Sequence, residues 1–249
     1  MSTALFVPCF VDQFFPKVAI AALDVLERLG LSVDVPGGAS CCGQPPANAG
    51  FERFGDAALA QFVRTYAPYD TTIILSGSCA THVLSHASSF GADGARVAAR
   101  GIEFCRFLHD VVGVERVAAL RAECAARVAV HIGCHALRGL GLASPSETRV
   151  APFDKVRPLL ETVKGMTFAE PARRDECCGF GGSFSVTEPE VSARMGRDRL
   201  RDYRRSGADI IVSTDVSCVM HLRGLADRDG RPMPMLHVAE VLAGPVAVA

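Results

Sequence analysis

Eight of the ten cysteines in this 249-residue chain fall into two sets of one pattern: a single Cys, then Cys-Cys-Gly, then Ser-Cys. Cys9, Cys41, Cys42 and Cys79 form the first set, and Cys134, Cys177, Cys178 and Cys218 the second. Thiolates ligate metal, and four around one site suit either tetrahedral zinc or an iron-sulfur cluster. Structural zinc usually takes two short C-x2-4-C hooks, whereas the side chains of vicinal cysteines diverge and better suit neighbouring irons of one cluster. The spacing therefore favours an iron-sulfur cluster as the cofactor, with zinc as the alternative and a disulfide or catalytic thiol as a third reading. Gly43 and Gly179, each after a Cys-Cys pair, let backbone pass close to such a group. The run from Gly179 through Gly181 to Ser183 reads as an amide nest donating to sulfurs, or as a plain tight turn. His131 and His135 flank Cys134 as candidates for a proton donor or a hydrogen bond to the cofactor, against the alternative of satisfied polar residues beside a loop.

These residues must be carried by a repeat. ALFVPCF at 4–10 lies over AVHIGCH at 129–135, an offset of 125 residues. PKVAIAALDVLERLG (16–30) has helical apolar spacing and stops at Gly30; its counterpart DKVRPLLETVKG stops at Gly165. A short strand follows each, LSVDV or MTFAE; a helix over about 51–67 or 189–205 comes after each Cys-Cys-Gly, and TTIILS or DIIVS then delivers Cys79 or Cys218. Short Val/Ile-rich strands alternating with helices predict parallel sheets flanked by helices, an α/β fold of two duplicated Rossmann-like units. Every repeated Cys then sits just past the carboxyl end of a strand, where such sheets bind ligands. The second half carries an insertion of about 11 residues after Cys134, and the boundary falls near 112–126, giving units 1–120 and 121–249.

Cys105 and Cys124 lie in apolar helical contexts and read as buried small hydrophobes. Arg194, Arg197, Arg201, Arg204 and Arg205, interleaved with Asp198 and Asp202, read as a solvated helix face. His237 and Glu240 read as packing against the last strand, with His237 able to face the site. With 26 basic and 27 acidic residues the net charge is −1, so nothing calls for nucleic acid or an anionic membrane as partner. No apolar run reaches the length of a membrane span and the start, MSTALFVPCFVDQFF, lacks a basic segment before its short apolar run, which predicts a cytoplasmic protein. No Gly-x-Gly-x-x-Gly follows a strand and no Walker motif occurs, so an organic cofactor is not expected.

Cys-x31-Cys-Cys-Gly-x34-Ser-Cys, with CCGQPPANAG, SGSCATH, HIGCHALRGLG, CCGFGGSFSV and LHVAEVLAG, resembles the cysteine-rich (CCG) domain family over nearly the whole chain, most closely its lactate-utilization branch. It is similar, more distantly, to the iron-sulfur subunit of glycolate oxidase and the B subunit of heterodisulfide reductase, whose duplicated CCG domains hold clusters. The resemblance implies an iron-sulfur electron-transfer component of a multi-subunit L-lactate oxidation system. It implies a redox subunit rather than a complete enzyme, working with a ferredoxin-type iron-sulfur subunit and a third small subunit. A thiol/disulfide reductase subunit and a zinc-stabilised, non-catalytic assembly subunit are the alternatives. Where the heterodisulfide reductase pattern ends in Cys-x-x-Cys, this chain has Cys79-Ala80-Thr81-His82 and Cys218-Val219-Met220-His221. Four cysteines per half remain, which suits a 4Fe-4S cluster, one or two per chain, with His82 and His221 open as further ligands.

Overall fold

The computed structural model describes residues 2–38 and 41–246. Among them, β1 (Thr3–Phe6), β2 (Thr71–Ile74) and β3 (Gly101–Glu103) form a parallel sheet in the order β1-β2-β3. β4 (Arg127–His131), β5 (Thr167–Phe168), β6 (Ile210–Ser213) and β7 (Met235–His237) form a second parallel sheet in the order β5-β4-β6-β7. A bridge between Ala4 and Asp34 continues the first sheet beyond β1, at the place of β5. Both halves thus follow one plan, in which Phe6 pairs with Ile74 and His131 with Ser213. The α/β architecture of parallel sheets flanked by helices is the one the alternating pattern predicts.

The strands form where β-branched residues can be buried on both faces, as Ile73, Ile74, Ile210, Ile211 and Val212 are. Alternate residues point to opposite sides of each sheet. Leu5, Ile73, Val128, Ile210 and Val212 face one large core shared by the two halves. Phe6 and Ile74 face a smaller core with Phe62 and Tyr66, while Ala129 and Ile211 face another with Leu200 and Tyr203. Helix Pro16–Arg28 closes the shared core with Val18, Ala22, Val25 and Leu26 and ends before Gly30, whose φ of +75° breaks it. Helix Val238–Ala243 of the second half packs on it, and Arg28 Nη1 donates to the Ala243 carbonyl at 2.7 Å.

LSVDV is not a strand of the kind expected: only Asp34 joins β1, its N–H donating to the Thr3 carbonyl at 2.9 Å and its carbonyl accepting from Leu5 N–H at 2.8 Å. The physical reason is its edge position, where Val35 is half exposed and Pro36 cannot donate to a ladder. The insertion after Cys134 is a loop closed by an antiparallel bridge between Ala143 and Asp154. Among the described residues no helix is long and apolar enough to cross a membrane.

Candidate metal centres

The carboxyl ends of the central strands place the thiols. Cys9 and Cys134 lie three residues past β1 and β4 and each begins a turn of helix; Cys79 and Cys218 lie five residues past β2 and β6, in the first turns of helices Gly77–His86 and Val216–Arg228. The loops bearing Cys41-Cys42 and Cys177-Cys178 close over them. Cys42 Sγ stands 3.1 Å from Cys79 Sγ, and Cys178 Sγ 3.1 Å from Cys218 Sγ. Cys177 Sγ lies 3.9 Å from Cys134 Sγ. Gly43 N–H donates to Cys41 Sγ and Gly179 N–H to Cys177 Sγ, both at 3.4 Å. Glycine is required at these two positions: φ is +88° and +89°, and a Cβ would stand 2.6 Å from the Gly55 carbonyl oxygen or 2.7 Å from that of Ser192. Gly181 lines the same cavity without such a contact to sulfur among the described residues, its carbonyl accepting from Phe184 N–H.

Crowded sulfurs cannot all ionise. Hydrogen bonds from Cys42 and Cys9, with help from Gly43 N–H, hold the Cys41 thiol down to about 2, and those from Cys134 and Cys178, with Gly179 N–H, do the same for Cys177. The same contacts, with burial, push Cys9, Cys42, Cys134 and Cys178 up. One thiolate held by protonated neighbours is the arrangement in which a thiophilic cation displaces the remaining protons. The donor set therefore fits a thiolate-bound metal or cluster at each quartet.

Seven of the eight repeated cysteines line one cleft, Cys9, Cys42 and Cys79 from the first half and Cys134, Cys177, Cys178 and Cys218 from the second. Asp215 ties its floor together. Oδ2 accepts from Ser76 Oγ at 3.1 Å and Ser78 N–H at 3.0 Å, while Oδ1 accepts from Ser217 N–H and Oγ, so one carboxylate caps helices of both halves. Ser76, its counterpart in the first half, accepts from Cys79 N–H at 3.3 Å. The sequence reading missed Asp215, although the repeat places it in register with Ser76 at an N-cap.

The histidines take different places. His135 spans the cleft, with Nδ1 3.8 Å from Cys134 Sγ and Nε2 3.4 Å from Gln44 Nε2. His131 is buried at the end of β4, its Nδ1 2.6 Å from the Tyr203 hydroxyl, and burial, with Arg199 nearby, pushes it down to about 3. A ring nitrogen of His131 and the sulfurs of Cys178 and Cys218 lie within 4.8 Å of one another. His82 is buried against His86 at 4.7 Å and lowered to about 4, chiefly by burial. His221 Nε2 lies 3.4 Å from the Ser192 carbonyl oxygen. His237 forms a reciprocal helix cap: Nδ1 accepts from Ala239 N–H, and Glu240 accepts from His237 N–H.

Cys105 and Cys124 are buried in the shared apolar core. Asp202 does not belong to a solvated face: it is 6% exposed, accepts from Ala172 and Arg173 N–H, and pairs with the fully buried Arg199 at 3.0 Å. A helix period of 3.6 turns Arg199 and Asp202 inward among arginines that point outward, and the run of charges concealed it.

Duplicated α/β units that each gather four thiols at the strand ends define a class, and the cysteine-rich domain (CCG) family model matches residues 3–83 and again 128–223. The chain belongs to that family. It is 35% identical to the lactate utilization protein A of Geobacillus kaustophilus (strain HTA426) and 35% identical to that of Shouchella clausii (strain KSM-K16), over 97% of this chain and 98% of each relative. It is 33% identical to lactate utilization protein A 1 of Bacillus mycoides (strain KBAB4), over 97% of this chain and 96% of the relative.

Proposed function

We propose that residues 1–120 and 121–249 are two units that each hold an iron-sulfur cluster of the 4Fe-4S type, and that the chain is an electron-transfer component of a multi-subunit L-lactate oxidation system. The observation that carries this reading is the single cleft lined by seven of the eight repeated cysteines. Cys9, Cys41, Cys42 and Cys79 are the ligands of the first unit, and Cys134, Cys177, Cys178 and Cys218 those of the second. Bound there, iron-sulfur groups supply one-electron transfer. The chain's own residues set the conditions for it. Gly43 and Gly179 present N–H groups to ligand sulfurs, and Asp215 fixes the two ligand-bearing helices against each other across the cleft. Similarity to the lactate utilization proteins A supports lactate as the source of the electrons; the partners in this reading are a ferredoxin-type iron-sulfur subunit and a third small subunit.

One observation favours a second reading. Tetrahedral zinc with Zn–S bonds near 2.3 Å spaces its sulfurs about 3.8 Å apart, and Cys134 and Cys177 stand 3.9 Å apart; a zinc-stabilised assembly subunit would have this spacing. Purification without oxygen, with iron, labile sulfide and zinc counted and the visible spectrum recorded, decides between them. Iron and sulfide in equal amounts with a broad band near 400 nm, and lactate-dependent dye reduction on mixing with the two partner subunits, are the expected results. Stoichiometric zinc and a colourless protein would overturn the reading.

A further inference from the structure

The two thiol sites rest on different floors. Phe6 and His131 occupy the same position, the last residue of β1 and of β4, three residues before Cys9 and Cys134. In the first half Phe6 packs edge-on against Phe62 and Tyr66, with ring centroids 4.8 and 5.7 Å away. In the second half His131 packs edge-on against Tyr203 at 6.1 Å, and Arg199, four residues before Tyr203 as Phe62 is before Tyr66, lays its guanidinium over the Tyr203 ring at 4.1 Å. Phe6 and Phe62 are thus replaced by His131 and Arg199, while the tyrosine is kept as Tyr203.

Hydrogen-bond bookkeeping fixes the imidazole tautomer. The buried Tyr203 hydroxyl has one proton to donate, and its one hydrogen-bond partner among the described residues is His131 Nδ1. Arg199 offers no acceptor. If Nδ1 carried the ring proton, the hydroxyl proton would be stranded in the core, at a cost of the kind that buried polar groups avoid. Nδ1 therefore accepts, and Nε2 carries the proton. Nε2 has no partner among the described residues although His131 is 1% exposed. A ring nitrogen of His131 lies within 4.8 Å of Cys178 Sγ and Cys218 Sγ, and neither sulfur is in hydrogen-bond contact with Nε2 among the described residues.

We propose that His131, oriented by Tyr203, becomes a hydrogen-bond donor to the ligand sulfurs of the second site when that site is loaded, and that it makes the two otherwise matched sites unequal in reduction potential. A donor aimed at thiolate sulfur stabilises the more negative, reduced state of whatever the thiolates hold. Phe6 gives the first site no such donor. Asp215 does not produce this inequality, because its carboxylate is bonded to both halves. His131 acts on one site alone.

The inference rests on the proposed iron-sulfur reading, and the experiment separates the two. In anaerobically reconstituted protein, potentiometric titration followed by electron paramagnetic resonance should resolve two centres. His131→Phe should move one midpoint to lower potential and leave the other in place, and Phe6→His should raise the other. His131→Gln, which keeps an N–H donor, should restore part of the loss, and Tyr203→Phe should move the same midpoint as His131→Phe by less. In parallel, the same variants are loaded with cobalt(II), whose thiolate charge-transfer band shifts to lower energy when a hydrogen bond to sulfur is lost. A cobalt band moved by His131→Phe but not by Phe6→Leu upholds the donor role even if no iron is found. Unchanged midpoints together with an unchanged cobalt band overturn it, as does failure of the second quartet to bind either metal.

Discussion

The two halves keep one geometry for sulfur and use different chemistry beneath it. The 3.1 Å approach of Cys42 to Cys79 is repeated by Cys178 and Cys218, and the 3.4 Å contact of Gly43 with Cys41 by Gly179 and Cys177. Below, Phe6, Phe62 and Tyr66 fill the first half with apolar rings, while His131, Arg199 and Tyr203, with Asp202, fill the second with a buried polar network. The difference teaches that strand-end loops and glycines specify the thiol cage. The strand and helix residues underneath are free to change as long as the volume is filled.

The largest effect should come from the cage. Cys42→Ser and Cys178→Ser are each expected to halve the iron content of the anaerobic protein and to abolish lactate-dependent dye reduction by the assembled system, with the circular dichroism spectrum retained because the core is apolar sheet and helix. Full activity in both variants would break the symmetry of the two sites as functional partners.

The floors should differ next. Arg199→Ala leaves Asp202 buried without its cation and is expected to cost about 3–5 kcal/mol of stability. Phe62→Ala in the first half should cost a similar amount, about 3–5 kcal/mol, through a cavity. The comparison sharpens in the rescue: Arg199→Phe combined with Asp202→Thr, which copies Phe62 and Thr65 of the first half, should recover most of the loss in urea unfolding. No recovery would mean that the polar floor is tied to more than packing.

The halves should also respond to pH with opposite sign. Glu103 and His237 end the corresponding strands β3 and β7, each fully buried and each capping the helix that follows. Burial raises Glu103 to about 7, above its unfolded value of about 4.3, so its destabilising effect is absent below pH 4.3 and is complete once pH has risen through 7. Burial lowers His237 to about 4, below its unfolded value of about 6.5, so its stabilising effect is present above pH 6.5 and is lost as pH falls towards 4. Glu103→Gln should flatten the fall in stability between pH 4.3 and 7, and His237→Gln the fall between 6.5 and 4, in chemical denaturation followed across pH. Identical profiles for the two variants would contradict this assignment.

The smallest effect is expected from the thiols outside the quartets. Cys105→Ser introduces a hydroxyl into the shared core and should cost about 1–3 kcal/mol, with iron content and dye reduction per folded molecule unchanged. A loss of iron in this variant would show that the cage extends beyond the repeat.

Much of this was legible in the chain. The repeat of Cys9, Cys41, Cys42 and Cys79 in Cys134, Cys177, Cys178 and Cys218 is written in spacing, and the parallel sheets in short Val/Ile runs between helices, because thiols just past strand ends need only local order to be placed there. Arg199 and Asp202 were concealed for a different reason: an arginine-rich helix looks solvated until one knows which of its faces a sheet covers. LSVDV has the composition of a strand, yet its edge position and Pro36 leave only Asp34 paired.

By itself, then, the sequence determined the two thiol quartets, the glycines beside them and the order of strands that carries them, since each depends on residue type and near neighbours along the chain. Only the tertiary structure decided that thiols of both quartets line one cleft, that Asp215 caps a helix 139 residues away from it in sequence, and that Phe6 and His131 lie under matched sites. Those facts depend on how two sheets pack across a shared core. Such packing is set by the summed burial of many apolar side chains, with no local pattern to announce it.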